Sequence, residues 1–505
     1  MLHLDSPPWN ILQALLPGHL KTNLALAIGP VAAFVIAAGE WLGPAFSPQA
    51  WMGGVIIWMA LWWMLEPVHL AVTSLLPIVL MPALAIADVR DVAAQYMDQV
   101  IFLFIGGFLL AFAVEKHGLH KRIARFALSK AGTSPRRVLL AVMGCTWFVS
   151  MWVSNTATVM MMLAAVMAIV QEMSGQWQDD PGKSQRFGAG LLMALAFSAT
   201  IGGMATLVGT PPNMVFYRYY LIHYADHGGI DFVRWFTMAA PVSLLFLLLS
   251  YLMLSALFMP KATGIARMPA QEKISWSAEE KRVGWLFLLA IVLWFTREGI
   301  QSGGLQIPGW SQLFPKPSWI QDSTVAVAVA LLLFLIPGKS KPNLRHSQRE
   351  KLLEWKDAAK LPLHVILLFG SGFALAFGFE QTGLSNQLAH QLSGLRDIPL
   401  WQLQLIVVLL VTLVSEFASN VASIQLLLPV LLSIQNGMKL DPLSLMLPAT
   451  LAASMGFMLP IATAPNTIVF GVGRIRSGQM MRAGLLLDLT GICLIMLLCV
   501  LFLNH

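Results

Sequence analysis

Apolar runs of membrane-spanning length recur along this chain from Asn23 almost to its last residue. A helix needs about 20 predominantly apolar residues to cross the hydrocarbon of a bilayer. On that measure the pattern predicts crossings near 22–39, 51–65, 66–87, 99–118, 188–217, 239–258, 284–298, 324–336, 363–392, 444–475 and 483–503. Two further apolar stretches, 138–173 and 401–433, are polar at mid-length and predict helical hairpins rather than simple spans. In the first of them, SMWVSNTATVMMML (Ser150–Leu163) sets Ser154, Asn155, Thr156 and Thr158 between segments that hydrocarbon would accept. The expected fold class is an all-α polytopic membrane protein, with about 11 transmembrane helices and two re-entrant hairpins in an inverted repeat.

Composition agrees with the pattern. The chain is 57% hydrophobic and 11% charged, where a soluble chain carries roughly a quarter charged residues. Its mean hydropathy is +0.71. The net charge of +7 is spread over several loops, so it marks membrane orientation and not a nucleic-acid footprint. Basic residues cluster at Lys116–Arg137, Lys261–Arg282, Lys339–Lys360 and Arg474–Arg482. With a cytoplasmic N-terminus all four clusters fall on the cytoplasmic face, and the C-terminus is expected on the periplasmic or extracellular side. A hairpin that crossed fully and returned would leave this count unchanged. The loop at 299–322 holds one basic residue, Lys316, as an outside loop should. Pro7, Pro8 and Pro17, with no small-residue cleavage site, argue against a cleaved signal peptide. Cys145, Cys493 and Cys499 sit in apolar surroundings without CxxC or zinc spacing, and read as small core residues.

The chain repeats itself. FIGGFLLAFAVEKHGL (Phe104–Leu119) matches FGSGFALAFGFEQTGL (Phe369–Leu384), and the same offset carries Ser150, Ser154, Asn155 and Ala157 onto Ser415, Ser419, Asn420 and Ala422. GTPPNMVFY (Gly209–Tyr217) has a looser partner in ATAPNTIVF (Ala462–Phe470). The predicted topology enters the two repeats from opposite faces, which is the signature of inverted-repeat secondary transporters.

The doubled polar centres point to a binding site. Non-helical backbone is tolerated at membrane depth where it lines a protein cavity. There, helix N-termini face an anion while free carbonyls and hydroxyls coordinate a small cation. Asn presents one acceptor oxygen and two donors, so it can face both partners at once. Pro211, Pro212 and Pro465 would break their helices and free carbonyls for the same end. A single Ser-Asn pair is more often glue between packed helices; its recurrence in both repeats reverses that balance. The Gly106–Gly107 pair and Gly372 read as close helix contacts. Glu115 and Glu380 read as solvated or paired structural acids, while Glu416, inside the second hairpin, is a candidate for charge pairing or for a proton.

At these residues a resemblance becomes specific. SMWVSNTAT, SEFASNVAS, GTPPN and APNTIVFG, with EPVHLAVTSLLPIVLMP and WKDAAKLPLHVILLFGSG, resemble the divalent anion:sodium symporter family over about Trp51 to Gly473. That family includes bacterial sodium/dicarboxylate symporters and animal dicarboxylate, citrate and sulfate cotransporters. The resemblance implies a homodimer in the bacterial inner membrane, each protomer with a scaffold and a transport domain that moves as an elevator. Scaffold helices would occupy 1–98 and 239–362, and transport repeats 99–238 and 363–475, with a closing C-terminal helix at 476–505. One sodium site would be Ser150, Ser154, Asn155 and the carbonyl of Gly203. The other would be Ser415, the carbonyl of Ala418, Asn420 and the carbonyl of Ala462. Substrate contacts would come from Asn155, Thr156, Ser419, Asn420 and Thr463. Two positions depart from the family pattern: Val421 stands where a Thr is usual, and Ala464 where a Pro is usual.

The expected function is sodium-coupled symport of a small divalent anion, a C4-dicarboxylate such as succinate, malate or fumarate. Rivals of the same fold are a sulfate symporter, suggested by the hydroxyl missing at Val421, and a dicarboxylate antiporter. Both Ser-Asn tips are present, which favours sodium. An enzyme is not expected, since no HExxH, GxSxG or paired helical acids occur. A sensor is equally disfavoured, because no soluble signalling domain is evident in the chain.

Overall fold

A computed structural model describes residues 18–119, 122, 134–174, 177, 180–224, 230–260, 275–302, 305–338, 350–391, 398–441 and 443–503. The apolar runs form helices whose starts are marked by capping residues. Ser47 accepts from Ala50 N (3.3 Å), Asp98 from Val100 N (3.0 Å) and Asp231 from Arg234 N (2.7 Å), each satisfying a first-turn amide that has no partner within its helix. Ser277 and Glu280 close a reciprocal capping box. In chain order the helices are α1 (Gly18–Ala38), α2 (Pro48–Leu65), α3 (Leu76–Ala83), α4 (Val89–Ala94) and α5 (Gln99–Lys116). There follow α6 (Pro135–Ser150), α7 (Asn155–Ser174), α8 (Pro181–Gly203), α9 (Pro211–His223), α10 (Phe232–Phe258), α11 (Ala278–Phe295) and α12 (Asp322–Leu335). The last are α13 (Leu363–Gln381), α14 (Leu384–Gln391), α15 (Leu400–Phe417), α16 (Asn420–Met438), α17 (Met446–Ala453), α18 (Ala464–Gly471) and α19 (Ser477–Leu498). Among the described residues eight helices are long and apolar enough to cross a membrane, with shorter apolar helices beside them. The polytopic helical expectation holds. One small addition is an antiparallel ribbon in the loop expected outside, β1 (Gly299–Ser302) pairing with β2 (Leu305–Pro308). In sequence these segments flank Gly303–Gly304, an ordinary hairpin signal.

The two halves of the repeat end their first helix alike. Gly118 after α5 and Gly383 after α13 adopt φ of +75° and +71°, the left-handed turn that glycine takes without penalty just past a helix.

The chain packs as two compact units. The first comprises Met1–Met97, Leu363–Leu395 and Gln425–Lys439; the second comprises Asp98–Pro362, Arg396–Ile424 and Leu440–His505. Within the first, α13 makes the close approaches expected of its glycines. A Cβ at Gly370 would lie 2.3 Å from Tyr96 Cδ1, and one at Gly372 would lie 2.3 Å from Gln425 Cδ. Gln425 also donates to Leu368 O at 2.9 Å.

Within the second unit α8 is the axis, buried along Phe187–Gly203 and packed by α6, α7, α10 and α18. Helix α5 lies on α12, with Gly106 too close to Ala326 backbone to admit a side chain. One end of this unit gathers basic loop residues. Lys116 pairs with Asp357 at 2.7 Å, Arg122 with Glu280 at 2.7 Å, and His117 meets Leu352 O at 2.9 Å. Burial works to raise the Asp357 carboxyl, but the Glu354 amide and the Lys116 ammonium outweigh it and hold it below the ordinary carboxylate range. Residues from three of the four basic clusters therefore meet at one face. Their neighbours Lys121, Arg125, Lys130, Lys261 and Lys339 lie outside the described residues, as do residues 1–17.

Near the ribbon, a buried ion-pair network ties α10, α11 and α12. Asp322, fully buried, accepts from Arg297 Nε (2.7 Å) and Phe232 N (3.0 Å), and its backbone carbonyl accepts from Trp294 Nε1 (3.1 Å). Arg297, 3% exposed, also reaches Ile320 O at 2.9 Å and Glu298 at 2.7 Å.

Candidate functional site

Both expected hairpins are present. Helices α6 and α7 are joined by residues 151–154, and α15 and α16 by 418–419. The turns fall at the polar centres because short polar side chains can satisfy backbone that leaves the helix. Ser154 Oγ accepts from Ala157 N at 3.3 Å, and Ser154 O from Thr158 N at 2.9 Å. At the other tip Ser419 O accepts from Ser423 N at 2.9 Å and from Ser423 Oγ at 3.1 Å.

The two tips share one geometry. Ser150 Oγ donates to Asn155 Oδ1 at 2.8 Å, and Ser415 Oγ donates to Asn420 Oδ1 at 2.8 Å. Both serines are fully buried. In each tip the amide oxygen turns toward the serine, which leaves its NH₂ for a partner on the other side.

Each tip faces a broken helix. Helix α8 stops at Gly203 and α9 begins at Pro211; α17 stops at Ala453 and α18 begins at Ala464. The prolines sit in the first turn of the second piece, where a missing amide costs nothing. A Cβ at Gly203 would come within 2.4 Å of Asn155 Oδ1, so the first break lies directly against the first tip. At the second, a Cβ at Gly456 would meet Ala462, Ser415 O and Thr463 at 3.2–3.4 Å. The single Ser415 hydroxyl hydrogen is shared between Asn420 Oδ1 and Ala453 O, the latter 2.6 Å away.

Ser150, Asn155 and Gly203 are thus brought together, as are Ser415, Asn420, Ala462 and Thr463. Ala418 is the buried C-cap of α15. Ser154 lines a narrow crevice with Phe104, Phe108, Trp152 and Val208. Thr156 and Ser419 are half-buried; among the described residues no side-chain hydrogen bond ties either to another candidate. Thr463 caps α18 through Asn466 N at 3.3 Å. Val421 is buried in the first turn of α16, and Ala464 is exposed. Among the described residues no group of three or more His, Cys, Asp or Glu could hold a metal; the tips offer neutral oxygens instead.

Sequence reasoning missed the residues that hold the breaks open. Asn213 Nδ2 donates to Gly203 O (3.1 Å) and Thr206 O (2.8 Å). Its counterpart Asn466 donates to Gly456 O (2.9 Å) and Leu459 O (3.1 Å). Both are fully buried, and each replaces helix bonds that the break has lost. The signal was the Asn of GTPPN and of APNTIVFG, read only for its prolines. Glu416 was read as a charge-pairing candidate, and its contacts are with backbone amides: Met458 N at 2.8 Å and Leu459 N at 2.9 Å. Of the cysteines, Cys145 and Cys499 are buried as expected, whereas Cys493 lies on an exposed face of α19.

Residues 22–504 match the family described as the sodium:sulfate symporter transmembrane region. A sodium-dependent dicarboxylate transporter, SdcS, of Staphylococcus saprophyticus is 36% identical over 452 residues, covering 88% of this chain and 84% of that protein. SdcS of Staphylococcus aureus is 34% identical over 467 residues, covering 90% and 86%. Two solved structures share the fold: the YdaH transporter of Alcanivorax borkumensis and MtrF of Neisseria gonorrhoeae. YdaH has a TM-score of 0.50 at 14% identity, covering 80% of this chain and 85% of that one. MtrF, from a class described as antimetabolite efflux pumps, has a TM-score of 0.50 at 13% identity, covering 82% and 83%. With matched tips, matched breaks and a family match over nearly its whole length, the chain belongs to the sodium:sulfate symporter family, the divalent anion:sodium symporters that its motifs resemble.

Proposed function

We propose that this protein is a sodium-coupled symporter of small divalent anions, with C4-dicarboxylates such as succinate, malate and fumarate as substrates. The observation that carries the reading is the twofold Ser–Asn contact, 2.8 Å in each tip, set against a broken helix. Relatives named as sodium-dependent dicarboxylate transporters support both the ion and the substrate class. One sodium ion would be held by Ser150, Ser154, Asn155 and the Gly203 carbonyl. The second would be held by Ser415, Asn420 and the carbonyls of Ala418 and Ala462. The anion would lie between the tips, on the amide hydrogens of Asn155 and Asn420 and the hydroxyls of Thr156, Ser419 and Thr463. Neutral oxygens suit a cation that must bind and leave. The two hairpins and two broken helices are proposed to move as one elevator body, in a homodimer in the inner membrane with a cytoplasmic N-terminus.

The test uses proteoliposomes and labelled succinate. Uptake is expected to require a sodium gradient and to rise steeply with sodium concentration. A pH gradient without sodium should drive nothing, and Glu416→Gln should lower the rate while leaving sodium dependence in place. Concentrative uptake driven by the pH gradient alone, and lost in Glu416→Gln, would overturn the sodium reading in favour of a proton symporter. Exchange indifferent to both gradients would favour the antiporter.

Val421 is proposed to stand at the substrate edge, where the family pattern that these motifs resemble would place a threonine hydroxyl. Val421→Thr should shift the preference between succinate and sulfate by roughly tenfold, the worth of one hydrogen bond to a charged group. Competition of each unlabelled anion against labelled succinate measures this. An unchanged ranking in folded protein places Val421 outside the pocket.

A further inference from the structure

We propose that Ser243 is a positioning residue for the first cation site, its hydroxyl tying the hairpin arm that carries Ser150 to the broken helix that carries the Gly203 carbonyl. This rests on the reading of the first tip as a sodium site. Ser243 lies on α10 and is 1% exposed. Its Oγ donates to Ile201 O at 2.6 Å and accepts from Trp147 Nε1 at 2.8 Å. Ile201 stands two residues before Gly203 on α8, and Trp147 stands three residues before Ser150 on α6. One hydroxyl therefore joins three helices within a turn of two proposed sodium ligands.

The break itself creates the need for this contact. Because α8 ends at Gly203, its last carbonyls lose the amides that would serve them four residues on. Ala205 N turns to Gly202 O at 3.0 Å, and Met204 N reaches Ile201 O only at 3.3 Å. The Ser243 hydroxyl gives Ile201 O its shorter bond. A second residue of the same helix serves the next free carbonyl, Trp235 Nε1 donating to Met204 O at 3.2 Å. Helices α6 and α8 touch backbone to backbone here, since a Cβ at Gly202 would overlap Trp147 O. A small slide of one on the other would therefore change the spacing of Ser150 and Gly203, and Ser243 grips both at that point. A buried serine in an apolar helix ordinarily returns its hydroxyl to its own preceding turn. Ser250, on the same α10, does this, donating to Phe246 O at 2.7 Å. Ser243 instead reaches across to two neighbours.

The second repeat is braced differently. The offset that carries Ser150 onto Ser415 carries Trp147 onto Thr412. Thr412 is buried, and its Oγ1 has no hydrogen-bond partner among the described residues. There the proposed ligand Ser415 itself reaches the broken helix, at Ala453 O. The second site is held by its own ligand and the first from a neighbouring helix, so the two should respond to different substitutions.

The experiment compares wild type, Ser243→Ala, Trp147→Phe and Thr412→Val as full-length protein. In proteoliposomes it measures the sodium concentration for half-maximal succinate uptake, and separately the succinate KM at saturating sodium. In detergent it measures the rise in unfolding temperature as sodium chloride is added, with choline chloride as control. Ser243→Ala strands the Trp147 N–H and leaves Ile201 O its longer bond alone, and should raise the sodium requirement roughly tenfold. Trp147→Phe keeps the bond to Ile201 O and should raise it roughly threefold. The succinate KM should stay within about twofold in both, because saturating sodium refills the site. The sodium-induced rise in unfolding temperature should move to higher concentrations in step with the uptake requirement. Thr412→Val should leave all three quantities unchanged. A wild-type sodium requirement in folded Ser243→Ala, or an equal increase in Thr412→Val, overturns the proposal. So does a Ser243→Ala protein that unfolds at lower temperature while its sodium titration is unmoved, which would make Ser243 interhelical glue. Should alanine prevent folding, Trp147→Phe decides, and a wild-type sodium requirement there overturns the proposal. Uptake by wild type indifferent to sodium overturns the cation-site reading, and this proposal with it.

Discussion

Asn155→Ala, and independently Asn420→Ala, should abolish sodium-driven uptake while the protein still folds. Each amide is placed to serve two charged partners: its oxygen lies 2.8 Å from a buried serine hydroxyl, and its NH₂ faces away. A hydrogen bond to a charged group is worth about 1.5–3 kcal/mol, and losing partners of both signs costs about twice that, roughly a hundredfold or more in the rate at limiting sodium and anion. Gly203→Ala should act in the same direction from the other side, because its new Cβ would fall 2.4 Å from Asn155 Oδ1 and push the amide aside. Asn155→Asp separates the roles. It keeps an oxygen for the cation but turns a negative group toward the anion, so sodium binding should survive and uptake should not. The measurements are initial rates in proteoliposomes, with sodium binding by isothermal calorimetry and folding by size-exclusion chromatography. Wild-type rates in both alanine variants would reduce these amides to interhelical glue.

The largest stability effect is expected at Asp322. Its side chain is fully buried and takes the Arg297 guanidinium at 2.7 Å along with the Phe232 amide. Removing one partner of a buried ion pair costs about 3–5 kcal/mol, because the other charge is left without compensation. Asp322→Ala should therefore lower the unfolding temperature in detergent markedly, and Arg297→Ala should do the same. The double variant Asp322→Leu with Arg297→Met should recover much of the loss, since an apolar pair of similar volume strands no charge. An unaltered unfolding temperature for Asp322→Ala would mean that Glu298 and Asp231, the other acids near Arg297, already suffice.

Much of this was legible in the chain itself. The helices were, because apolar runs of spanning length leave few alternatives for backbone in a membrane. The tips were as well: Ser150 with Asn155, and Ser415 with Asn420, stand out because polar side chains are costly within apolar runs, and they occur twice. The clamps were not. Asn213 and Asn466 look like helix-start residues, and only the folded break reveals which carbonyls they serve. The ribbon at 299–308 was passed over because a short strand pair in a loop carries no membrane signal.

The first compact unit is assembled from Met1–Met97, Leu363–Leu395 and Gln425–Lys439, and this has a consequence in time. Its opening helices leave the ribosome while the partners of Tyr96 and Met52 are still unmade. Gly370, which seats Tyr96, and Gly378, which seats Met52, lie beyond residues 98–362. At a synthesis rate of about 5–20 residues per second that delay is roughly a quarter of a minute to a minute. During it the N-terminal helices wait in the bilayer with their packing surfaces against lipid. Translational pausing or truncation within 98–362 should therefore strand this unit unfinished and hand it to quality control, before the second Ser–Asn tip at 415–420 is made.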